Sequence, residues 1–212
     1  MIEFIRSQLK DIQKRDCAWA AENSYFNYHT QGLHYLNLSR GAEITLKLYY
    51  IPETVNRNEG FLVLPHNHRY NFQTFVLKGM LYHYRFEKIA LDAEEHPSHR
   101  FHQFDYSCHT KRLIYDGLTK LKVRKREYCC SKDTYYVHPD EIHTLEILEG
   151  PVVLAILQGP NSHFKDSSIF SQNTVLENDC KLPPNNSSPM TPGEYIHAAR
   201  QILNILGGHN GQ

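Results

Sequence analysis

An all-β barrel or sandwich with a helix at either end is the fold class this sequence predicts. Three observations carry it. From Ile44 to Gly159 the chain is a succession of short runs rich in alternating, β-branched and aromatic residues; breaks rich in Gly, Pro and Asn separate them; and no helical pattern is interleaved as a parallel sheet would require. The 212 residues suffice for one well-cored domain, and a single domain over 1–212 is the expected organisation.

The N-terminal MIEFIRSQLKDIQKRD places Ile2, Ile5, Leu9 and Ile12 at helical spacing with charges between them, so a helix is expected within 1–22. It lacks the continuous apolar stretch of a signal peptide. A Tyr, Asn and Gly-rich stretch from Asn23 to Gly41 leads into ITLKLYYI, where Ile44, Leu46, Leu48 and Tyr50 alternate with Thr45, Lys47 and Tyr49 as in a strand. After the break from Pro52 to Gly60 comes FLVLPHNH, in which Leu62, Leu64, His66 and His68 share one parity and are expected to face one side of a strand. FQTFVLKG and MLYHYRF read as two strands hinged at Gly79. Lys88 to Lys111 is polar and His-rich and reads as an insertion, with solvated loop the expected state of His96, His99, His102 and His109 in preference to a second metal site or a lid. Strands resume with LIYDG, TKLKVRKREY, DTYYVHP, HTLEIL and VVLAILQG. The barrel core is therefore expected over 44–159, with the insertion near 88–111. A Pro and Ser-rich linker follows over 181–192. Thr191 as N-cap, Pro192 at the first helical position and Glu194 two further on start a helix over 192–206; Tyr195, Ile196, Ala199, Ile202, Leu203 and Leu206 give it an apolar stripe, and Gly207 and Gly208 stop it. The stripe is expected to pack on the barrel or on a second subunit.

Lys plus Arg and Asp plus Glu both number 23, so no long-range field draws nucleic acid or an anionic membrane, and no run is long and apolar enough to span a bilayer. Five cysteines, odd in number and without a CxxC pair, point to reduced thiols and a cytoplasmic protein; Cys129 and Cys130 read as small buried hydrophobes. Fourteen histidines and fourteen tyrosines direct the search for a site.

That search ends at PHNHRYNFQTFVLKG. Two histidines one residue apart on a strand, His66 and His68, project their imidazoles from one face, and a third from an antiparallel neighbour can complete a facial set of three nitrogens. Such a set holds one divalent transition metal and leaves positions open for substrate or dioxygen. The ligating imidazoles must be neutral, so affinity should fall with pH through the histidine range.

The segment resembles the first cupin motif, a His-X-His pair followed by a glutamate and then a strand ending at a turning glycine; Gln73 stands at the glutamate and Gly79 at the turn. YYVHPDEIHTLEI resembles the second motif, with Pro139 and His143 in the proline and histidine roles. The resemblance implies a double-stranded β-helix, or jelly-roll barrel, with flanking N- and C-terminal helices, a metal on His66, His68 and His143, a small-molecule substrate and a homodimer. With Gln73 a neutral amide in place of an acid, the site is similar to that of the three-histidine thiol dioxygenases of the cysteine dioxygenase type. That likeness implies ferrous iron, with zinc, nickel or manganese as alternatives, and dioxygenase chemistry on a small molecule such as a thiol. Gln73 and Tyr82 are the catalytic candidates, Gln73 either orienting a bound water or ligating weakly, and Arg40, Lys47 and Tyr84 the substrate-binding ones, Arg40 and Lys47 as candidates for the place of the arginine that the likeness implies for an amino-acid carboxylate. Tyr70 and His83 join Tyr82 and Tyr84 as pocket-lining candidates. A metal-dependent isomerase or lyase of a sugar or keto acid, and a non-catalytic ligand-binding barrel, are the alternative readings.

Overall fold

The computed structural model describes residues 1–12, 16–28, 32–52, 62–94, 98–107, 112–161, 167–172 and 188–207. These form the helices α1 (Ile2–Asp11), α2 (Ala18–Glu22) and α3 (Pro192–Ile205). The strands are β1 (Tyr25–Phe26), β2 (His34–Arg40), β3 (Thr45–Ile51), β4 (Tyr70–Ile89), β5 (Ser98–Ser107), β6 (Arg112–Cys130), β7 (Thr134–Val137), β8 (Ile142–Asn161), β9 (Ser167–Ser171) and β10 (Ser188–Pro189). The all-β class with terminal helices is the observed one.

The strands run in the hydrogen-bonded order β10-β1-β2-β3-β8-β4-β6-β5-β9, with β7 on the first half of β4, and every pairing is antiparallel. At β9 the path does not end at an open edge. His66 bridges both His143 on β8 and Ile169 on β9, so β4, β6, β5, β9, the segment at His66 and β8 form a closed circuit of backbone bonds. Phe86, Phe101, Leu121, Ile142 and Phe170, one from each of these strands, meet in a single buried cluster. Closure removes the unpaired edge that β9 would otherwise present.

The other end of the sheet is covered on both faces. From β3, Leu46, Leu48 and Tyr50 pack with Leu36 of β2, Val153 and Ala155 of β8 and the apolar stripes of the helices, including Ile5, Leu9, Tyr195 and Ile202. Both terminal helices thus bury their stripes within the subunit. The alternate residues of β3, Lys47, Tyr49 and Ile51, face the barrel interior instead. α3 begins as its capping box specifies: Glu194 N donates to the Thr191 hydroxyl while the Glu194 carboxylate accepts from Thr191 N.

Several expectations need correction. The helix expected within 1–22 is two helices, the second opened by Asp16, whose carboxylate accepts from Ala18 N. Part of the expected insertion, 98–107, is strand β5, paired on both sides by β6 and β9, so the histidine-rich loop is barrel wall; His102 is buried beside Tyr115, His99 is exposed, and His96 and His109 lie outside the described residues. The core extends beyond 44–159, because β2 and β9 belong to it. The linker falls mostly outside the described residues, as does Gly208. The two strands expected on either side of Gly79 are one bent strand.

Gly79 makes that bend with φ +88°, where a Cβ would stand 2.6 Å from the Val152 side chain and 2.7 Å from the Pro151 carbonyl oxygen. Gly79→Ala combines a left-handed backbone with a backbone clash and should destabilise the fold by about 2–4 kcal/mol. Urea unfolding would show the midpoint falling with an unchanged slope.

Candidate metal centre

Backbone bonds, before any side chain, bring the two histidine segments together. His66 N donates to the His143 carbonyl at 3.0 Å and His143 N to the His66 carbonyl at 2.9 Å; His68 N donates to the Pro139 carbonyl at 3.0 Å. The segment from Leu62 to His68 is not the regular strand expected. Pro65 has no N–H for a ladder, and only its carbonyl is used, accepting from Phe170 N. Leu64 turns outward, whereas Leu62, Val63, His66 and His68 line a cavity with Lys47, Tyr70 and His143.

The three imidazoles converge there. One nitrogen from each of His66, His68 and His143 lies within 4.8 Å of the others, and this is the one such cluster of three or more potential ligands among the described residues. The Nε2 atoms of His68 and His143 are 2.9 Å apart, close to the roughly 3.0 Å that two adjacent nitrogens would span on an ion bonded at ~2.1 Å. His66 Nδ1 donates to the Leu64 carbonyl at 2.8 Å, which leaves Nε2 with the lone pair. Burial holds His66 below the ordinary imidazole range and, joined by the neighbouring His66, His68 and His83, holds His143 far below it. At neutral pH both are uncharged, the state a metal requires. The donor set therefore fits a divalent transition metal.

Behind His143 stands a residue whose role the sequence did not reveal. His83 Nε2 is 3.1 Å from His143 Nδ1, so a His143 that offers Nε2 to a metal donates its Nδ1 proton to His83. His83 is fully buried, stacked on Tyr135 at 4.2 Å, and burial first, with Arg85 second, pushes its pKa down to about 3. Its Nδ1 faces the Glu127 carboxylate at 3.8 Å, beyond hydrogen-bond reach, and Glu127 is itself held by Arg85 at 2.9 Å and Lys125 at 2.6 Å. Glu127 thus aligns with the ligand without bonding to the relay in this state.

The remaining expected site residues divide. Lys47 and Tyr70 line the cavity. Gln73 does not: strand alternation turns Phe72 and Thr74 inward, and Gln73 shares the opposite face with Phe75 and Leu157, which pack toward the helices. Phe72 occupies the inward position, its ring edge-on to His68 at 4.9 Å, so an apolar ring stands where an acidic ligand would. Tyr82 and Tyr84 lie on the face of β4 opposite His83, where the Arg126 guanidinium sits 3.5 Å from the Tyr82 ring and the Tyr84 hydroxyl donates to Glu146. They do not line the cavity. Arg40 is exposed at the end of β2 and bonds Tyr35. Burial raises the Cys129 thiol to about 11, and Cys130 is raised chiefly by its bond to Asp133, so both stay thiols.

No protein-family model matches this chain, and no curated protein does. Solved structures similar to it include KdgF from Halomonas sp., at 11% identity over 61% of this chain and 82% of that one, TM-score 0.37. An RmlC-like cupin from Shewanella frigidimarina NCIMB 400 is 16% identical over 60% and 77%, TM-score 0.33. Hydroquinone 1,2-dioxygenase from Sphingomonas sp. TTNP3, with 4-hydroxybenzoate bound, is 8% identical over 59% and 64%, TM-score 0.36. The fold is defined within the chain itself. A closed antiparallel barrel carries an inward His-X-His pair that is bonded through its backbone to a third histidine far along the chain, which is the cupin fold and the arrangement that the two cupin-like motifs imply.

Two outcomes follow from this geometry. His83→Ala removes the acceptor that orients His143 and should weaken metal binding about 10- to 100-fold, read by competition with a chromophoric chelator, while the fold survives by circular dichroism. In the metal-free protein, His66, His83 and His143 have folded-state pKa values below the unfolded value near 6.5. Above that pH both states are neutral and their share of stability is complete. Below it the unfolded chain takes up protons that the fold refuses, so stability should decline from about pH 6.5 toward pH 3 by up to about 1.4 kcal/mol per pH unit for each histidine. Urea midpoints at pH 7.5, 6 and 5 would measure the decline.

Proposed function

We propose that this chain is a metal-dependent cupin enzyme, a non-haem iron(II) dioxygenase acting on a small molecule at His66, His68 and His143. One observation carries the reading: three imidazoles converge on a cavity to which no lining residue among those described contributes a carboxylate. A divalent ion held by three neutral ligands keeps its full charge and its open positions, which suits binding a substrate and dioxygen side by side; when bound, iron(II) supplies that redox chemistry. The protein's own part is to hold and to exclude. His83 keeps His143 in one tautomer, and Phe72, Leu62 and Leu154 present an apolar wall that limits water around the cluster. A small thiol is the first substrate class to try, and a reduced cytoplasmic setting and a homodimer complete the reading.

Protein purified without chelator or immobilised nickel should contain close to one equivalent of iron by elemental analysis. His66→Ala and His143→Ala should each lose nearly all of it. Iron-loaded protein should consume dioxygen with a small thiol, and the two variants should do so at least ~100-fold more slowly. Retained zinc or manganese, with turnover that needs no dioxygen, would move the assignment to Lewis-acid isomerase or lyase chemistry.

A further inference from the structure

The segment that carries the paired histidines is held alternately from two sides. His66 and His68 bond toward β8 and the turn before it, through His143 and the Pro139 carbonyl; Pro65 and Asn67 bond toward β9, through Phe170 and Ser168. At Asn67 the pattern departs from a ladder. In an antiparallel hydrogen-bonded pair the two residues exchange both main-chain bonds. Asn67 N does donate to the Ser168 carbonyl at 3.1 Å, but Ser168 N donates to Asn67 Oδ1 at 2.6 Å instead of to the Asn67 carbonyl. A side-chain oxygen thus stands in for a main-chain one. Ser168 is buried, so its N–H needs that acceptor. The peptide between Asn67 and His68 is thereby released from β9, and His68 N is directed to the Pro139 carbonyl. Ser168 is itself fixed from β5: its hydroxyl donates to Asp105 Oδ1 at 2.7 Å, and that oxygen also accepts from Gln103 Nε2 at 2.9 Å. The buried Gln103 accepts in turn from Lys88 Nζ at 2.7 Å, so the line of bonds runs from β4 through β5 and β9 to Asn67.

We propose that Asn67, the residue between the two histidines, is a positioning residue of the metal centre. Its amide oxygen, clamped on Ser168 N, sets the rotation of the peptide that carries His68, and with it the 2.9 Å separation of the His68 and His143 nitrogens. Asn67 acts through the main chain and not by ligation, since it does not line the cavity and its oxygen is spent on Ser168. Without that oxygen two rearrangements are open, and both disturb the ligand. Either Ser168 N is left unpaired in the buried wall, which loosens the segment, or the Asn67 carbonyl swings back into the ladder and turns the His68 peptide away from Pro139. This inference rests on the metal reading of the site and adds to it the group that fixes the ligand geometry.

The test compares wild type with Asn67→Leu and Asn67→Asp, which keep the size of the side chain and differ in whether the acceptor remains. Each is titrated with cobalt(II), read by affinity and by the visible absorption bands, which report ligand geometry. Asn67→Leu should bind cobalt about 10- to 100-fold more weakly, the effect of losing a group that orients a ligand, with shifted bands and an unchanged far-ultraviolet circular dichroism spectrum. Asn67→Asp should restore the wild-type bands and bind at least as tightly as wild type, because a carboxylate oxygen accepts from Ser168 N in the same place. Wild-type affinity and bands in Asn67→Leu, or an Asn67→Asp as impaired as Asn67→Leu, would overturn the inference while leaving the metal site standing. If Asn67→Leu does not fold, Asn67→Ala takes its place and must show the same loss, and wild-type binding there overturns the inference. Wild-type protein that takes up no cobalt would overturn the metal reading and this inference with it.

Discussion

Two backbone hydrogen bonds between His66 and His143 hold together both the barrel and its site. They join an irregular segment to the start of β8, and the same residue, His66, reaches Ile169 on its other side. Without that segment β9 and β8 would each keep an unpaired edge. With it, the histidines that would share an ion are fixed at main-chain level, so their side chains need little freedom removed to meet. Pro65 assists by contributing a carbonyl and no donor, which lets the chain leave ladder geometry and aim His66 and His68 at one point.

The cost of this arrangement is concentrated in buried imidazoles. His83 and His143 are nearly inaccessible, and the low pKa values that burial imposes on them disfavour the fold in acid. A core made only to be stable would place apolar side chains here. The arrangement yields neutral ligands at physiological pH and a neighbour, His83, that determines which nitrogen of His143 carries the proton. Glu127, Arg85 and Glu141 extend the same line outward as an ion-paired network, with Arg85 2.5 Å from Glu141. Position and protonation are thereby set together.

The cavity owes its character to a sheet covered on both sides. Because α1, α2 and α3 take the Leu46, Leu48 and Tyr50 face of β3, the barrel interior receives the face with Lys47 and Tyr49. A lysine is thus buried at the centre of the molecule among tyrosine rings. Phe72 and the aliphatic wall keep the surroundings dry, which strengthens any electrostatic contact a ligand makes there.

The sequence by itself determined the class of fold, the histidine trio and the start of the last helix. Each is encoded locally: strand alternation in ITLKLYYI, the His-X-His spacing with Pro139 and His143 following, and the Thr191-to-Glu194 capping box. Only the tertiary structure decided which side of each strand faces the site. A period of two separates a strand's faces without saying which is inward, and where both faces are covered, hydrophobicity stops distinguishing them. For that reason Lys47 turned in while Gln73, Tyr82 and Tyr84 turned away, and Phe72 took the position where an acid would ligate. The register shifts near Gly79 carry the alternation across β4's bend, so His83 could not be counted into place from His68. The strand nature of the histidine-rich stretch at 98–107 was likewise hidden, because its partners β6 and β9 are remote in sequence and a polar run forms a strand only where such neighbours accept its hydrogen bonds.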